Sequence, residues 1–271
     1  MKLLSLQQRL LALATLAAFG IAHAAPPAAA PAVKDDKPDP KLTEQWEPVP
    51  PIVTPGATDS APPSDAIVLF DGNNLDQWVM TDDKSPAKWK VHDGIVTVDK
   101  KTGNIQTRQS FRNYQLHLEW QIPKDVEGEG QARGNSGVFV AGTGDGDDGY
   151  EVQILDSYNN KTYVNGQAAS VYKQSPPLAN SMRPPGAWQT YDILWTAPKF
   201  KSDGSVETPA YVTVFHNGVL VQNHFELKGE TTYRGQPKYK PYTDAPIKLQ
   251  SHGDPSPAIS FRNIWVRKLA D

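Results

Sequence analysis

The chain has 271 residues, and its 27 basic and 30 acidic side chains leave a formal net charge of −3 at pH 7. It contains no cysteine, which excludes disulfide bonds, thiol catalysis and cysteine-ligated metal centres. The mean hydropathy of −0.52 argues against a membrane-spanning bundle, and the small acidic excess argues against a general nucleic-acid-binding surface.

Residues 1–24 have the pattern of a secretory signal peptide. Lys2 and Arg9 flank the start of a short apolar run, and Ala22-His23-Ala24 is a small-x-small cleavage site. The run is about 13 residues long, which is too short to cross a bilayer. We therefore expect export to the periplasm or the medium, with cleavage after Ala24. An amphipathic N-terminal helix is the alternative.

Residues 25–64 are rich in proline and alanine, and they hold eleven of the 24 prolines. Proline at this density favours an extended, solvated chain. The segment is therefore predicted to be a disordered linker, in which only Thr43–Trp46 is suited to packing on a folded domain. That domain is predicted to cover residues 65–271.

From Asp65 onward, apolar and polar residues alternate, which is the pattern of half-buried β-strands. The clearest strand is Tyr114–Ile122, where five apolar residues alternate with four polar ones. Asp93-Gly94 and Asn217-Gly218 predict two tight hairpin turns. No window of a dozen residues has a helical stripe. Further strands are predicted at 89–92, 95–98, 150–154, 189–195, 211–216, 219–221, 247–250 and 259–266.

At least nine short strands joined by glycine, asparagine and aspartate turns predict an all-β domain of two packed antiparallel sheets. A jelly-roll sandwich is the architecture that fits best. Because no helices alternate with the strands, a parallel α/β fold is excluded. The absence of a repeat of 20–50 residues argues against a propeller.

Polar residues that alternate with core residues must point away from the core, and these are the candidate binding residues. Glu119 lies on the clearest strand, Glu151 and Gln153 lie on the strand at 150–154, and Asp156 follows its end. Carboxylates and amides on a curved sheet suit the hydroxyl groups of a sugar. A plain solvated face is the alternative.

Three loops carry further candidates. The glycine-rich turn of residues 130–137 places Asn135 and Ser136 at a strand start, although a tight turn alone needs only the glycines. Asp145-Gly-Asp147-Asp148 has the composition of a calcium loop, but a solvated acidic loop is the favoured interpretation. His252 ends a strand after Gln250, where a histidine is well placed as an acid or base.

Five ordered motifs between about Ile67 and Leu269 resemble the 3-keto-disaccharide hydrolase family, which is also described as 3-keto-glycoside lyases and 3-keto-2-hydroxyglucal hydratases. The resemblance implies a concanavalin-like jelly roll, a carbohydrate substrate and functional roles for Asn135, Glu151, Gln153, Asp156 and His252. The motifs are Val68-Leu-Phe-Asp-Gly72 with Leu75-x-x-Trp78, Gly134-Asn-Ser-Gly137, Tyr150-Glu-x-Gln-Ile154 with Asp156, Leu249-Gln-x-His252 and Phe261-Arg-Asn-Ile264.

One segment departs from the family pattern. The chain reads Ser170-Val-Tyr-Lys173 where many relatives have a Gly-Ala-Leu-Tyr-Gly-like segment. A lysine beside the expected cleft would alter substrate choice or ion dependence. Lys173 is therefore added to the candidate binding residues.

The resemblance implies cleavage of 3-keto-glycosides by elimination between C2 and C1 and then hydration. Glu151 and His252 are expected to be the base and the acid, in an order that the sequence leaves open. The expected substrate-binding residues are Glu119, Asn135, Ser136, Gln153, Asp156, Lys173 and Gln250. This step needs no nicotinamide or flavin. The sequence leaves open whether a divalent cation takes part.

Two other functions fit the same residues. A direct glycosidase would need two carboxylates across the bond, and Glu119 with Glu151 is the available pair. A non-catalytic carbohydrate-binding module is the other alternative. In each case the expected partner is a carbohydrate, with no nucleic acid and no membrane span. Oligomeric state is not predicted.

Overall fold

The computed structural model describes residues 37–270, and the chain has two compact units whose boundary along the sequence lies between Pro50 and Pro51. The signal peptide predicted at residues 1–24 lies outside the described residues, as does the first part of the predicted linker. In the first unit, a single 3₁₀ turn covers Pro40–Thr43, and the side chain of Trp46 is exposed.

The second unit is a sandwich of two antiparallel sheets, which confirms the predicted all-β, concanavalin-like jelly roll. The strands are β1 (Ile67–Phe70), β2 (Trp78–Met80), β3 (Lys90–His92), β4 (Ile95–Thr97), β5 (Ile105–Phe111), β6 (Tyr114–Gln121), β7 (Ser136–Gly142), β8 (Gly149–Ile154), β9 (Trp188–Thr196), β10 (Lys199–Phe200), β11 (Val206–Thr208), β12 (Tyr211–His216), β13 (Val219–Glu226), β14 (Ala245–Leu249) and β15 (Ser260–Lys268). The larger sheet has the order β13-β12-β9-β6-β15-β4-β3 with β1 paired to β15, and the smaller sheet has the order β2-β5-β14-β7-β8. β10 and β11 form a separate two-stranded ribbon.

The core lies between the two sheets, where the apolar residues of the alternating strands meet. Leu116 and Trp120 of β6 are fully buried there, as is Ile154 of β8. The hydroxyl of Tyr191 donates a 2.7 Å hydrogen bond across the core to the carbonyl of Gln153. The buried phenol is therefore satisfied, and it ties the larger sheet to the smaller one.

Both predicted hairpins are present. Asp93-Gly94 joins β3 to β4, and Asn217-Gly218 joins β12 to β13. All four turn residues have positive φ, as a type I′ turn requires. Outside the strands, the second unit has short 3₁₀ turns only at Gly130–Ala132 and Val164–Gly166 among residues 51–270.

The second unit begins before the predicted domain start at Asp65. Its residues from Pro51 onward are part of the compact unit. The carbonyl of Ser60 accepts hydrogen bonds from Asn263 Nδ2 at 2.8 Å and Trp265 Nε1 at 3.0 Å. Proline removes backbone donors but leaves every carbonyl, so a proline-rich segment can still be held by side-chain donors of a sheet. Composition alone does not reveal this.

No helix among residues 37–270 is long and apolar enough to cross a membrane.

Candidate functional site

A cleft of about 680 Å³ opens on the outer face of the smaller sheet. Its volume is in the range of small-molecule binding sites. Five of the residues predicted from the sequence line it, and they come from β8, from the loop before β7 and from the loop after β14. They are Asn135, Glu151, Gln153, Gln250 and His252.

Strand β8 presents Glu151 and Gln153 to the cleft because its alternate residues, Tyr150 and Val152 among them, face the core. The outward direction predicted for both residues is therefore confirmed. The neighbouring strand supplies a matching gap at Gly137. A Cβ atom at that glycine would lie 2.3 Å from Glu151 Oε1, so the carboxyl group occupies space that only a glycine leaves open.

The carboxyl group of Glu151 is buried without a partner. The residue is 6% exposed, and its side chain makes no hydrogen bond to any of residues 37–270. Burial raises its pKa well above the ordinary value, and the charge of Asp147 adds to the effect. Glu151 therefore holds a proton at pH values where an exposed glutamate is ionised, which is the state a general acid needs.

Beside Glu151, three amide side chains form a connected group. Gln153 Nε2 donates to Gln131 Oε1 and to Asn135 Oδ1, both at 3.2 Å. Asn135 Nδ2 donates to the Gln131 carbonyl at 2.8 Å. Each amide is thus oriented by another, which is how a site presents donors and acceptors to the hydroxyl groups of a sugar in fixed directions.

The loop after β14 adds an unpaired acceptor and an oriented histidine. Gln250 Oε1 is buried and has no hydrogen-bond partner among the described residues. His252 Nδ1 lies 3.2 Å from Asp254 Oδ2 and 3.2 Å from the backbone nitrogen of Asp254, so this residue orients the ring through both groups. Asp254 Oδ2 also accepts from Lys100 Nζ at 3.1 Å. His252 Nε2 makes no hydrogen bond to residues 37–270, so it remains available for proton transfer in the cleft.

Asp254 keeps its negative charge. Burial acts to raise its pKa, but hydrogen bonds from His252, Ser256 and Lys100 outweigh burial and lower the pKa to about 2. A carboxylate that stays ionised fixes the ring orientation of its histidine and stabilises the imidazolium that forms when the ring accepts a proton.

The acidic loop between β7 and β8 is organised around a lysine. The ammonium group of Lys248 is buried and donates to the carbonyls of Gly144, Gly146 and Asp148 at 2.8–3.1 Å. Burial lowers its pKa to about 8, although the loop carboxylates act in the opposite direction. An internal cation thus holds the loop that brings Asp147 to the cleft. No group of three or more His, Asp or Glu residues suited to a metal occurs within residues 37–270.

Glu119 does not belong to this cleft. It lies on β6 of the larger sheet, on the outer face of the opposite side of the sandwich, and it pairs with Arg262 at 2.6 Å. Alternation predicts that a residue faces outward, but it does not tell which of the two outer faces is meant. The carboxylate pair Glu119/Glu151 of the direct glycosidase alternative is therefore not assembled.

Ser136 and Asp156 are buried beside the cleft and hold its loops. Ser136 pairs with the core residue Ile154 and donates to the Gln250 carbonyl at 2.7 Å. Asp156 accepts from Arg133 Nε at 2.6 Å and is fully buried. Both residues therefore position Asn135 and Gln250, and neither lines the cleft.

Three tyrosines that the sequence analysis missed, Tyr163, Tyr172 and Tyr233, line one side of the cleft. They come from irregular loops that cover the free edge of β8. The backbone N–H of Tyr172 donates to the Glu151 carbonyl at 3.1 Å, and Glu151 N donates to Thr231 Oγ1 at 3.0 Å. Loops that satisfy an exposed strand edge have no periodicity, so their aromatic residues carry no sequence signal.

Lys173 lies next to these tyrosines and lines a neighbouring cleft instead of the main one. Its Nζ donates to the Tyr233 carbonyl at 2.7 Å and lies 4.3 Å from the centroid of the Tyr233 ring. Lys173 is predicted from the sequence to bind substrate beside the cleft; the structure places it next to that cleft, with its ammonium group directed at Tyr233.

Comparison with known proteins agrees with this architecture. A curated 3-keto-disaccharide hydrolase from Bacteroides thetaiotaomicron is 25% identical over 241 residues, which is 75% of this chain and 78% of that protein. A crystal structure of a candidate glycosyl hydrolase from Parabacteroides distasonis is 54% identical, covers 85% of this chain and 97% of that chain, and superimposes with a TM-score of 0.80.

A second candidate glycosyl hydrolase from P. distasonis, 22% identical over 76% of this chain and 94% of that chain, has a TM-score of 0.57 and shows the same fold. Residues 65–267 match the family profile of the 3-keto-alpha-glucoside-1,2-lyase-like domain. The resemblance drawn from the five motifs is thereby confirmed, and the family and the named relatives support a carbohydrate-active function. The chain belongs to the 3-keto-alpha-glucoside-1,2-lyase-like domain family.

Proposed function

We propose that this protein cleaves the glycosidic bond of 3-keto-glycosides by elimination followed by hydration. The observation that carries the proposal is the pairing, in one cleft, of a buried unpartnered carboxyl group, Glu151, with a histidine, His252, that a carboxylate orients. The family and the name of the B. thetaiotaomicron relative support the choice of substrate class.

A ketone at C3 makes this reaction feasible. The carbonyl acidifies the hydrogen at C2, because the carbanion left behind delocalises as an enolate. The electron pair of the broken C2–H bond then forms a C1=C2 double bond, and the C1–O bond breaks. The leaving oxygen takes a proton, and the other product is a 3-keto-2-hydroxyglucal. Addition of water, with OH to C1 and H to C2, completes a net hydrolysis.

The two groups divide the proton transfers. Glu151, whose pKa is raised by burial, gives a proton to the leaving oxygen. His252 Nε2 takes the proton from C2, and the adjacent Asp254 stabilises the resulting imidazolium. The amides of Gln131, Asn135 and Gln153 hold sugar hydroxyls. Because the ketone is already present, the step needs no nicotinamide or flavin.

The decisive experiment compares a native disaccharide with its 3-keto form in D₂O. We expect the purified protein to act only on the ketone, to release the hydroxyglucal transiently and to leave deuterium at C2 of the final product. Cleavage of the native sugar without label at C2 would identify a direct glycosidase. Binding of the sugar without any product would identify a carbohydrate-binding module.

We also propose that the protein acts after export, in the periplasm or as a secreted protein. The support is the pattern of residues 1–24, in which a short apolar run follows Lys2 and Arg9 and ends at a small-x-small site. Mass spectrometry of the mature protein should find Ala25 at the N-terminus. Material that retains Met1 would contradict export with cleavage.

A further inference from the structure

We propose that a second cleft, beside the catalytic one, binds the leaving group of the substrate as a neutral sugar ring, with Tyr233 as the stacking platform. The inference rests on the proposed function, because only a reaction that cleaves a glycosidic bond has a leaving group. The second cleft has a volume of about 450 Å³ and shares Tyr163, Tyr172 and Tyr233 with the catalytic cleft.

The charges of the two clefts differ sharply. The catalytic cleft contains the carboxyl groups of Asp147, Glu151 and Asp254. The second cleft, as far as the described residues line it, contains no carboxyl group, and its one charged residue is Lys173. Proton transfer therefore belongs to the first cleft, whereas the second is built for binding.

The lining of the second cleft matches the two surfaces of a pyranose. Asn165, Thr232 and Gln236 supply amide and hydroxyl groups, which can donate to and accept from sugar hydroxyls. The tyrosine rings supply flat apolar faces for the C–H faces of a sugar ring. Tyr233 is 68% exposed, so much of its ring surface is accessible to a ligand although Lys173 lies over the ring.

The position of the shared tyrosines relates the second cleft to the bond that breaks. Tyr172 is hydrogen-bonded through its backbone N–H to the Glu151 carbonyl, and its hydroxyl lies 2.9 Å from that of Tyr163. A glycosidic oxygen protonated by Glu151 therefore lies beside this wall. The ring on the leaving side of that oxygen continues along the wall into the second cleft.

Lys173 is a positioning residue for the platform. Its Nζ donates to the Tyr233 carbonyl at 2.7 Å and lies 4.3 Å from the centroid of that ring. The same ammonium lies 5.6 Å from the centroids of Tyr163 and Tyr172. The ammonium group thus makes cation–π contacts with three rings and holds the tyrosines together. Because its charge is directed at these rings, we expect the ligand of the second cleft to be uncharged.

The test compares two substrates, a 3-keto-disaccharide and methyl 3-keto-glucoside, whose leaving group is too small to reach the second cleft. Tyr233→Ala should lower kcat/KM on the disaccharide by about tenfold, mainly through KM. Its effect on the methyl glycoside should be clearly smaller, because there Tyr233 only borders the catalytic cleft. Lys173→Met should give a smaller loss with the same selectivity, and Lys173→Arg should restore part of it. Tyr158→Ala, at an exposed tyrosine outside both clefts, is the matched control.

Equal losses on both substrates, or no loss on the disaccharide, would overturn the assignment. If the wild-type protein cleaves neither 3-keto substrate, the proposed function is wrong. The sugar site in the second cleft is then tested by a binding measurement. Calorimetric titration with glucose should in that case show binding by wild type that Tyr233→Ala loses. Equal binding by both proteins would refute a sugar site at Tyr233.

Discussion

Each sheet of the sandwich buries one glutamate on its outer face, and the two have opposite electrostatics. Glu119 on the larger sheet and Glu151 on the smaller sheet are each 6% exposed. Glu119 accepts hydrogen bonds from Arg262 at 2.6 Å and Asn263 at 2.9 Å, whereas the side chain of Glu151 accepts none from residues 37–270. Equal burial therefore produces one ion-paired carboxylate and one isolated carboxyl group.

The pKa shifts follow from these partners. Burial alone would raise both values. For Glu119, the His117 ring with its Nε2 3.8 Å away and hydrogen bonds from Asn263 and Arg262 outweigh burial and lower the pKa to about 2. For Glu151, burial and the repulsion from Asp147 both raise the pKa, and no hydrogen bond from residues 37–270 opposes them. A buried carboxyl group thus stabilises the fold when it is paired and is available for proton transfer when it is not.

The largest effect should come from Glu151→Gln. The amide keeps the shape and hydrogen-bonding capacity but has no proton to give, so kcat/KM on a 3-keto-disaccharide should fall by about 10²–10⁴-fold. The melting temperature should stay the same or rise, because a neutral amide replaces an unpaired buried acid. Steady-state kinetics and a thermal melt of the same preparation check both.

The leaving group tells whether Glu151 is the acid. With a nitrophenolate leaving group, which departs without a proton, Glu151→Gln should lose less than about tenfold. A loss that is the same for both leaving groups would make Glu151 the base and reverse the assignment. Glu129→Gln, on an exposed loop, should change neither rate.

His252→Ala should cost about 10²-fold for both leaving groups, because removal of the C2 proton precedes or accompanies every departure. Asp254→Asn should show a smaller loss, since the ring would keep its place but lose the charge that stabilises the imidazolium. The check is the rate of C2–H exchange into D₂O. Exchange at the wild-type rate in His252→Ala would contradict its role as the base.

Glu119→Gln should reverse the pattern of Glu151→Gln. Turnover should be unchanged, but unfolding should become easier by about 1–3 kcal/mol, because Arg262 and His117 lose their counter-charge. The loss stays below that of a fully buried pair, since Arg262 is partly exposed and water can reach it. Urea denaturation measures the difference, and a loss of turnover without a loss of stability would return Glu119 to the site.

The alternation of residues predicted the strands and the outward direction of Glu119, Glu151 and Gln153, but not their partners. Arg262 faces Glu119 from β15, and that contact depends on strand order, which periodicity does not encode. Strand β5 was missed for a related reason. Its Thr107 fills a core position and is satisfied by hydrogen bonds with Gln109 and Ile247, so a polar residue interrupts the apolar pattern.

The site could be predicted where it lies on strands and strand ends, as for His252 and Gln250. It could not be predicted where loops fold back on β8. Tyr163 and Tyr233 reach the cleft because their loops satisfy the edge of that strand, and Lys248 reaches the acidic loop through the space left by Gly142. These contacts join residues that are far apart in the chain, so no local sequence pattern predicts them.

The smallest expected effect concerns the histidine beside Glu119. Burial acts to lower the pKa of His117, but a hydrogen bond to Asp192 at 2.7 Å and the carboxylate of Glu119, 3.8 Å from Nε2, outweigh burial and raise the pKa from 6.5 to about 9. A raised pKa means that the folded state binds the proton more tightly than the unfolded chain. This stabilisation is fully present below pH 6.5 and is lost as the pH rises through about 9.

His117 should therefore lower the free energy of unfolding by about 1 kcal/mol between pH 7 and pH 8, and His117→Gln should remove this contribution. His216, whose pKa burial lowers to about 3, and Lys248, whose pKa burial lowers to about 8, both make stability rise with pH over this interval, so the contribution of His117 is measured as the difference between wild type and His117→Gln. His92→Gln, at an exposed ring on β3, is the control and should keep the wild-type slope. A slope that persists in His117→Gln would mean that another group titrates there, and that the network around Glu119 does not hold its histidine charged.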